Sequence, residues 1–226
     1  MSAQKVTIEM IEKNAPELLE YYANKCPASH ESFYSSLYKA LNSISKKAYR
    51  LRNYKIHHSE EELASFFSGE LERMLFNSER EGDRTGHVDI IVRTNIDDED
   101  IEWYGECKIL ALDGSNWDIH QGYLQLTTRY SFAEYGEHGI IVFNKKDKAK
   151  FRVSEWWDYL KDKESLKSKK NCEISELAFF TECEDECTGI NINIRHLFIP
   201  LFYAPKDKSA VKSKQNKVSK DQNQDC

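Results

Sequence analysis

Asp89 lies in the run Gly86-His87-Val88-Asp89-Ile90-Ile91-Val92. Glu106 and Lys108 stand two residues apart in a second β-like run, Tyr104-Gly105-Glu106-Cys107-Lys108-Ile109. Side chains alternate faces along a strand, so Glu106 and Lys108 share one face. If the two runs pair as a hairpin, Asp89 sits beside Glu106. Two carboxylates with a neighbouring amine can hold a hard divalent cation and position a water against a phosphodiester. The same residues also allow a plain surface hairpin, with an ion pair contributing under ~1 kcal/mol.

The flanking sequence supplies elements that could position this set. Ser59 with Glu62 reads as a capping box opening a helix with apolar residues Leu63, Phe66, Phe67, Leu71, Met74 and Leu75. At ~100° per residue Glu70 falls inside that apolar face, whereas Glu61 and Glu72 point to solvent. A carboxylate among core residues needs a cationic partner or a bound cation, and both readings stand. Residues 76–81 form a candidate short strand of low apolar content, and 82–86 carry turn chemistry. The acidic segment Asn95–Asp100 lacks the glycine and distal Glu of a calcium loop and reads as a solvated turn. A helix is expected from Trp117 to Tyr135, with Asp118, Gln121, Gln125 and Arg129 as one polar stripe, facing either a wet cleft or solvent. His138–Asn144 has the length and composition of a buried parallel strand.

This arrangement resembles the PD-(D/E)XK nuclease superfamily over residues 59 to 144. The resemblance implies an α/β fold with a restriction-endonuclease-like core, running helix, three strands, helix, strand. It makes Asp89 and Glu106 ligands of Mg²⁺ (with Mn²⁺ able to substitute), joined by the backbone carbonyl of Cys107. Lys108 then orients or deprotonates the attacking water, and Glu70 becomes an auxiliary metal ligand. Several such families carry a Gln on the second helix, sometimes followed four residues later by Tyr. Here Gln125 is followed by Arg129 and then Tyr130, and Gln121 competes with Gln125 for the role. The implied activity is endonucleolytic hydrolysis, of DNA in the first instance, with RNA not excluded. The alternative is a noncatalytic nuclease-like module for nucleic-acid binding or assembly. Antiphage defence or restriction is a biological setting by analogy alone.

Composition frames the remainder. A chain of 226 residues with 40% hydrophobic content can bury a sizeable core. No window approaches a membrane span and no leader pattern is visible, and six irregularly spaced cysteines point to a reducing cytoplasm. The net charge is −6, of which residues 206–226 contribute +3, leaving −9 on residues 1–205. Weak intrinsic affinity for nucleic acid is therefore expected, and a partner subunit or homo-oligomer is expected to deliver substrate. Basic stretches 145–152 and 161–170 are candidate phosphate contacts.

Three segments follow: a helical N-terminal extension (1–55), a nuclease-like core (56–205) and a Lys-rich disordered tail (206–226). Within the extension, Pro16 predicts a break, and Ser29 or His30 starts a helix with Phe33, Leu37, Leu41 and Ile44 on one stripe. That stripe either packs on the core or mediates dimerisation. A short helix around 153–160 carries Trp156 and Trp157, which either stack bases or pack in the core. Strand-like segments at 173–181 and 190–203 are expected to extend the sheet as a hairpin. Cys172, Cys183, Cys187 and His196 lack the paired spacing of a zinc site.

Overall fold

The computed structural model describes residues 7–80, 82–84, 86–131 and 133–207. The stretch 208–226, most of the Lys-rich tail, lies outside the described residues. Helices α1 (Ile8–Asn14) and α2 (Glu17–Lys25) are separated at Ala15-Pro16, as the proline requires. Ser29 caps α3 (His30–Arg50) in a reciprocal box with Ser32, and a short α4 (Arg52–Lys55) follows. Ser59 and Glu62 form the expected capping box of α5 (Glu60–Arg73). Then come β1 (Asn77–Glu79), a small hairpin β2 (Gly82–Arg84) and β3 (Gly86–Val88), and the long pair β4 (Ile90–Ile96) and β5 (Glu99–Leu110). Helix α6 (Asn116–Gln125), β6 (Glu137–Asn144), α7 (Ala149–Lys163), β7 (Ser168–Asn171), β8 (Ala178–Glu184) and β9 (Asn191–Pro200) complete the chain.

Seven strands make one mixed sheet in the order β1-β4-β5-β6-β9-β8-β7, with β6 parallel to both β5 and β9 and the other pairs antiparallel. Helices cover both faces. One core layer joins α3 and α5 to Ile90, Val92, Trp103, Cys107, Ile141 and Phe143. The other joins Ile119, Tyr123, Trp156 and Leu160 of α6 and α7 to Ile91, Tyr104, Leu110, Ile140 and Val142. The alternation along β5 therefore puts Cys107 on the α5 side and Glu106 and Lys108 on the α6 side. Among the described residues no helix is long and apolar enough to cross a membrane.

Several sequence expectations change here. Helix α3 is no separate extension: Phe33, Leu37, Leu41 and Ile44 are each at most 1% exposed within the same core as α5, so a boundary at residue 55 cuts through packed structure. Strand β1 exists despite its polar composition because its inward residue is Ser78, hydrogen bonded at 2.9 Å to Ser68 of α5. Arg93 on β4 holds the polar edge by bonding Glu79 of β1 and Glu102 of β5. Residues 86–92 are not one strand, because β3 ends at Val88 and the chain bends at Asp89. The expected helix over 117–135 divides into α6, a π-helical turn (Leu126–Tyr130) and a 3-10 turn (Ala133–Tyr135). Strand β7 was not legible beforehand; all four of its residues are exposed.

Two local devices fix β5. Asp97 and Asp98 take positive φ of 53° and 67° in the two-residue turn between Ile96 and its partner Glu99. That is the conformation a tight hairpin needs, and Asp tolerates it better than most residues. Gly105 and Gly139 are register partners on β5 and β6, and a Cβ at either would lie 2.6 Å or 2.4 Å from the Trp103 ring. Only glycine admits the indole there, which locks the register one residue before Glu106.

Candidate active site at the open edge of the central strand

Pairing between β4 and β5 stops at Ile90 and Gly105. Beyond that point β5 has no strand neighbour on this side, and its backbone donors must find other partners. Asp89 Oδ2 accepts the Cys107 N–H at 2.7 Å, and Glu60 Oε2 accepts the Ile109 N–H at 2.8 Å. Two carboxylates thus cap successive donors along one open strand edge. A strand residue's N–H and C=O point to the same side, so the Cys107 carbonyl opens on the edge that Asp89 occupies.

Lys108 completes the cluster. Its Nζ donates to Glu106 Oε1 at 2.7 Å and to Glu60 Oε1 at 3.4 Å. The Glu106 side chain is only 3% exposed, and its other oxygen, Oε2, is buried without a hydrogen-bond partner. Helix α6 lies directly on this pair: a Cβ at Gly122 would come within 2.8 Å of Lys108 Cγ and Cε and 3.2 Å of Glu106 Cγ.

The electrostatics follow from three acids around one lysine. Burial, then the Asp89 charge, pushes Glu106 up to about 7. Burial also raises Asp89, against the pull of the Cys107 N–H and Lys108. Burial alone would lower Lys108, but Glu106, Glu60 and Asp89 outweigh it and hold the ammonium above the ordinary lysine value. The cluster therefore carries surplus negative charge in a half-dry setting.

Glu70, expected as the auxiliary metal ligand, is placed elsewhere. It is buried as the helical angle requires, yet it pairs with Lys47 of α3 at 2.5 Å and with Arg73. It also lies about 15 Å along the axis from Glu60. The acid that α5 does bring to the cluster is Glu60, at its first turn. Periodicity points to faces, whereas this site is served by the end of the helix, so the angular argument passes over Glu60.

On α6, Asp118 is occupied as the reciprocal cap of the Ser115 N–H. Gln125 lies about 60° from Gly122 around the helix and Gln121 about 100°. Gln125 therefore stands nearer the Glu106 contact, and its Oε1 is buried without a partner. The π-helical turn begins immediately after it, closed by the Ser131 N–H to Leu126 carbonyl bond at 2.9 Å. An i to i+5 turn places Tyr130 about where an α-helix would place a residue four beyond Gln125. Burial, and then the Glu106 charge, raises the Tyr130 hydroxyl pKa, with Asp89 adding to it.

Elsewhere, Trp156 is fully buried and donates to His196 Nδ1 at 3.1 Å, so this tryptophan packs in the core and is not available for base stacking. His196 Nε2 meets Thr181 Oγ1 at 2.9 Å, and burial pushes the imidazole down to about 3. Both ring nitrogens of His196 are in use, so it offers no lone pair to a metal.

Among the described residues no three His, Cys, Asp or Glu side chains stand ready-made around one cation position. In the Asp89 cluster one oxygen each of Asp89 and Glu106 is engaged, by Cys107 and Lys108, and both oxygens of Glu60 are, by Lys108 and Ile109. The orphaned Glu106 Oε2, the surplus negative charge and the all-oxygen donor set nevertheless fit a hard divalent ion. No family model, curated protein or solved structure matches the chain.

Proposed function

We propose that this chain is a Mg²⁺-dependent endonuclease of PD-(D/E)XK type, hydrolysing phosphodiester bonds, with DNA as the first substrate to test. One observation carries the reading: Glu60, Asp89, Glu106 and Lys108, from a helix start, a strand break and a central strand, converge on one open strand edge. The order α5, β1, β4, β5, α6, β6 supports it, being helix, three strands, helix, strand with the β2–β3 hairpin inserted.

Asp89 and Glu106, with the Cys107 carbonyl, would hold the ion; Mg²⁺ supplies neutralisation of phosphate charge and a more acidic water. Lys108 serves as a cation, since a lysine held above its ordinary pKa is a poor proton acceptor at neutral pH. Its ammonium orients the attacking water and offsets charge developing on the phosphorus oxygens. Glu60 fixes the ammonium from the far side, and Gln125 and Tyr130 line the α6 wall. A noncatalytic module, the second reading, is favoured if Glu70, Asp89 and Glu106 fail to converge or if Lys108 is held away from the acids. Glu70 does stand apart, paired with Lys47 and Arg73, whereas Lys108 touches Glu60 and Glu106.

The test is Mg²⁺ calorimetry on wild type and Asp89→Ala, followed by incubation with plasmid, linear duplex and single-stranded DNA, with and without EDTA. Cation binding lost in Asp89→Ala together with EDTA-sensitive cleavage supports the proposal. Cation binding without cleavage of any substrate favours the noncatalytic module.

A further inference from the structure

The end of the sheet where β5 and β6 finish carries an exposed aromatic and basic rim. Trp117, in the first turn of α6, is 58% exposed; Phe151, in the first turn of α7, is 54% exposed; Leu112, between β5 and α6, is 70% exposed. The two helix starts are tied together, because Asn116 Nδ2 donates to the Glu155 carbonyl at 3.2 Å, one turn along from Phe151. Tyr22 and Tyr54 are comparably open, but Trp117 and Phe151 sit on neighbouring helix starts, in a chain that buries Trp103 and Trp156.

The rim is also cationic and anchored. Lys145 Nζ bonds the His58 carbonyl, and Lys146 Nζ bonds the Gly114 carbonyl, each at 2.7 Å. These contacts tie the loop after β6 both to the turn before Glu60 and to the loop before Trp117. Lys148 and Lys150 follow on the exposed side, Lys150 paired with Glu176 at 2.6 Å and the neighbouring Arg152 with Asp147 and Glu155. Along α6, Gln121 and Gln125 follow Trp117 at intervals of one turn, and the line comes from about 140° to about 60° of the Gly122 side that touches Glu106 and Lys108.

We infer that this rim is an entry platform for single-stranded nucleic acid, with unpaired bases stacking on Trp117 and Phe151 and the backbone passing the lysines toward the Asp89 cluster. The inference rests on the proposed function for its direction, though not for its binding chemistry. Exposed rings interleaved with lysines suit a single strand, whose bases are free to stack, better than a duplex, whose bases are already stacked. DNA and RNA share that chemistry.

Binding is measured with EDTA present, so that hydrolysis plays no part. The probes are a fluorescein-labelled oligothymidylate, the matching oligouridylate and a blunt DNA duplex of equal length. Wild type is expected to bind a single strand more tightly than duplex, with tryptophan emission quenched on binding. Trp117→Ala should weaken single-strand binding about tenfold or more and remove most of the quenching. Phe151→Ala should weaken it in the same direction, and Leu18→Ala, an exposed change on α2, should do nothing. The stronger of the oligothymidylate and oligouridylate arms names the nucleic acid. Equal single-strand affinity in wild type, Trp117→Ala and Phe151→Ala, or tighter binding of duplex, overturns the platform. Single-strand binding that depends on Trp117 in a protein that cleaves nothing upholds the platform and removes the nuclease. Metal-dependent cleavage with no effect of either ring substitution on binding does the reverse.

Discussion

Asp89 Oδ2 accepts the Cys107 N–H at 2.7 Å at the point where β4 and β5 part, so the acid stands in for the strand that is no longer there. That one bond fixes Asp89 against the backbone of the residue between Glu106 and Lys108. The site thus sits where the strand pairing ends, on residues outside the two apolar core layers apart from Cys107, so changes to its charged side chains can be separated from changes to the core.

Glu60 and Glu70 make the clearest pair for that separation. Glu60→Gln keeps an acceptor for the Ile109 N–H but removes the charge facing Lys108, and cleavage should fall by ~10–100-fold with folding intact. Glu70→Gln should leave cleavage unchanged and lower the unfolding free energy by ~1–2 kcal/mol, because its partners Lys47 and Arg73 are 49% and 72% exposed and recover water. Cleavage rates and urea melts of the two variants decide the matter. A catalytic defect confined to Glu70→Gln would restore the auxiliary-ligand role to Glu70.

Glu106 predicts a pH dependence of known sign. Its folded pKa, about 7, lies above its ordinary 4.5, so between those values the folded state holds more protons than the unfolded one. Stability without divalent ion should therefore fall as pH rises from about 4.5 to 7, by up to ~3 kcal/mol. Glu106→Gln should flatten that slope and melt higher than wild type at pH 8. Mg²⁺ competes with the same proton, so its affinity should rise across the same window. Melting curves from pH 4 to 8 with EDTA and with Mg²⁺ check both statements; a wild-type profile that stays flat in EDTA would contradict them.

Gly122 should tolerate no side chain. Alanine gains up to ~1 kcal/mol of helix propensity, yet its Cβ would stand 2.8 Å from Lys108 Cγ and Cε. The lysine stem must move, which breaks its 2.7 Å bond to Glu106. Gly122→Ala should thus lose activity out of proportion to stability, with Gly69→Ala, where a Cβ meets nothing within 4 Å, as the helix control.

How much of this was legible in the sequence differs from element to element. The capping box at Ser59, the Glu106–Lys108 pair and the buried strand expected at 138–144 follow from local chemistry, which a single sequence records, whereas the run 86–92 hid the bend at Asp89 that sets the site. The burial of Glu70 was legible too, though not its partner, because Lys47 comes from a helix whose docking only tertiary packing determines. Glu60 was hidden by its capping-region position, and Tyr130 by a π-turn that shifts the helical count by one residue. Thr127 and Thr128 hydroxyls, bonded back to the Tyr123 and Leu124 carbonyls, are a local sign of that turn.

Lys108→Ala under saturating Mg²⁺ tests the central claim most directly. The ammonium is not a metal ligand, so calorimetric Mg²⁺ affinity should be retained or slightly raised, while cleavage falls by ~10² or more. Lys108→Arg should rescue poorly, since a planar guanidinium cannot occupy the compact position between Glu60 and Glu106. Lys108→Ala cleaving at the wild-type rate with Mg²⁺ bound would contradict the account.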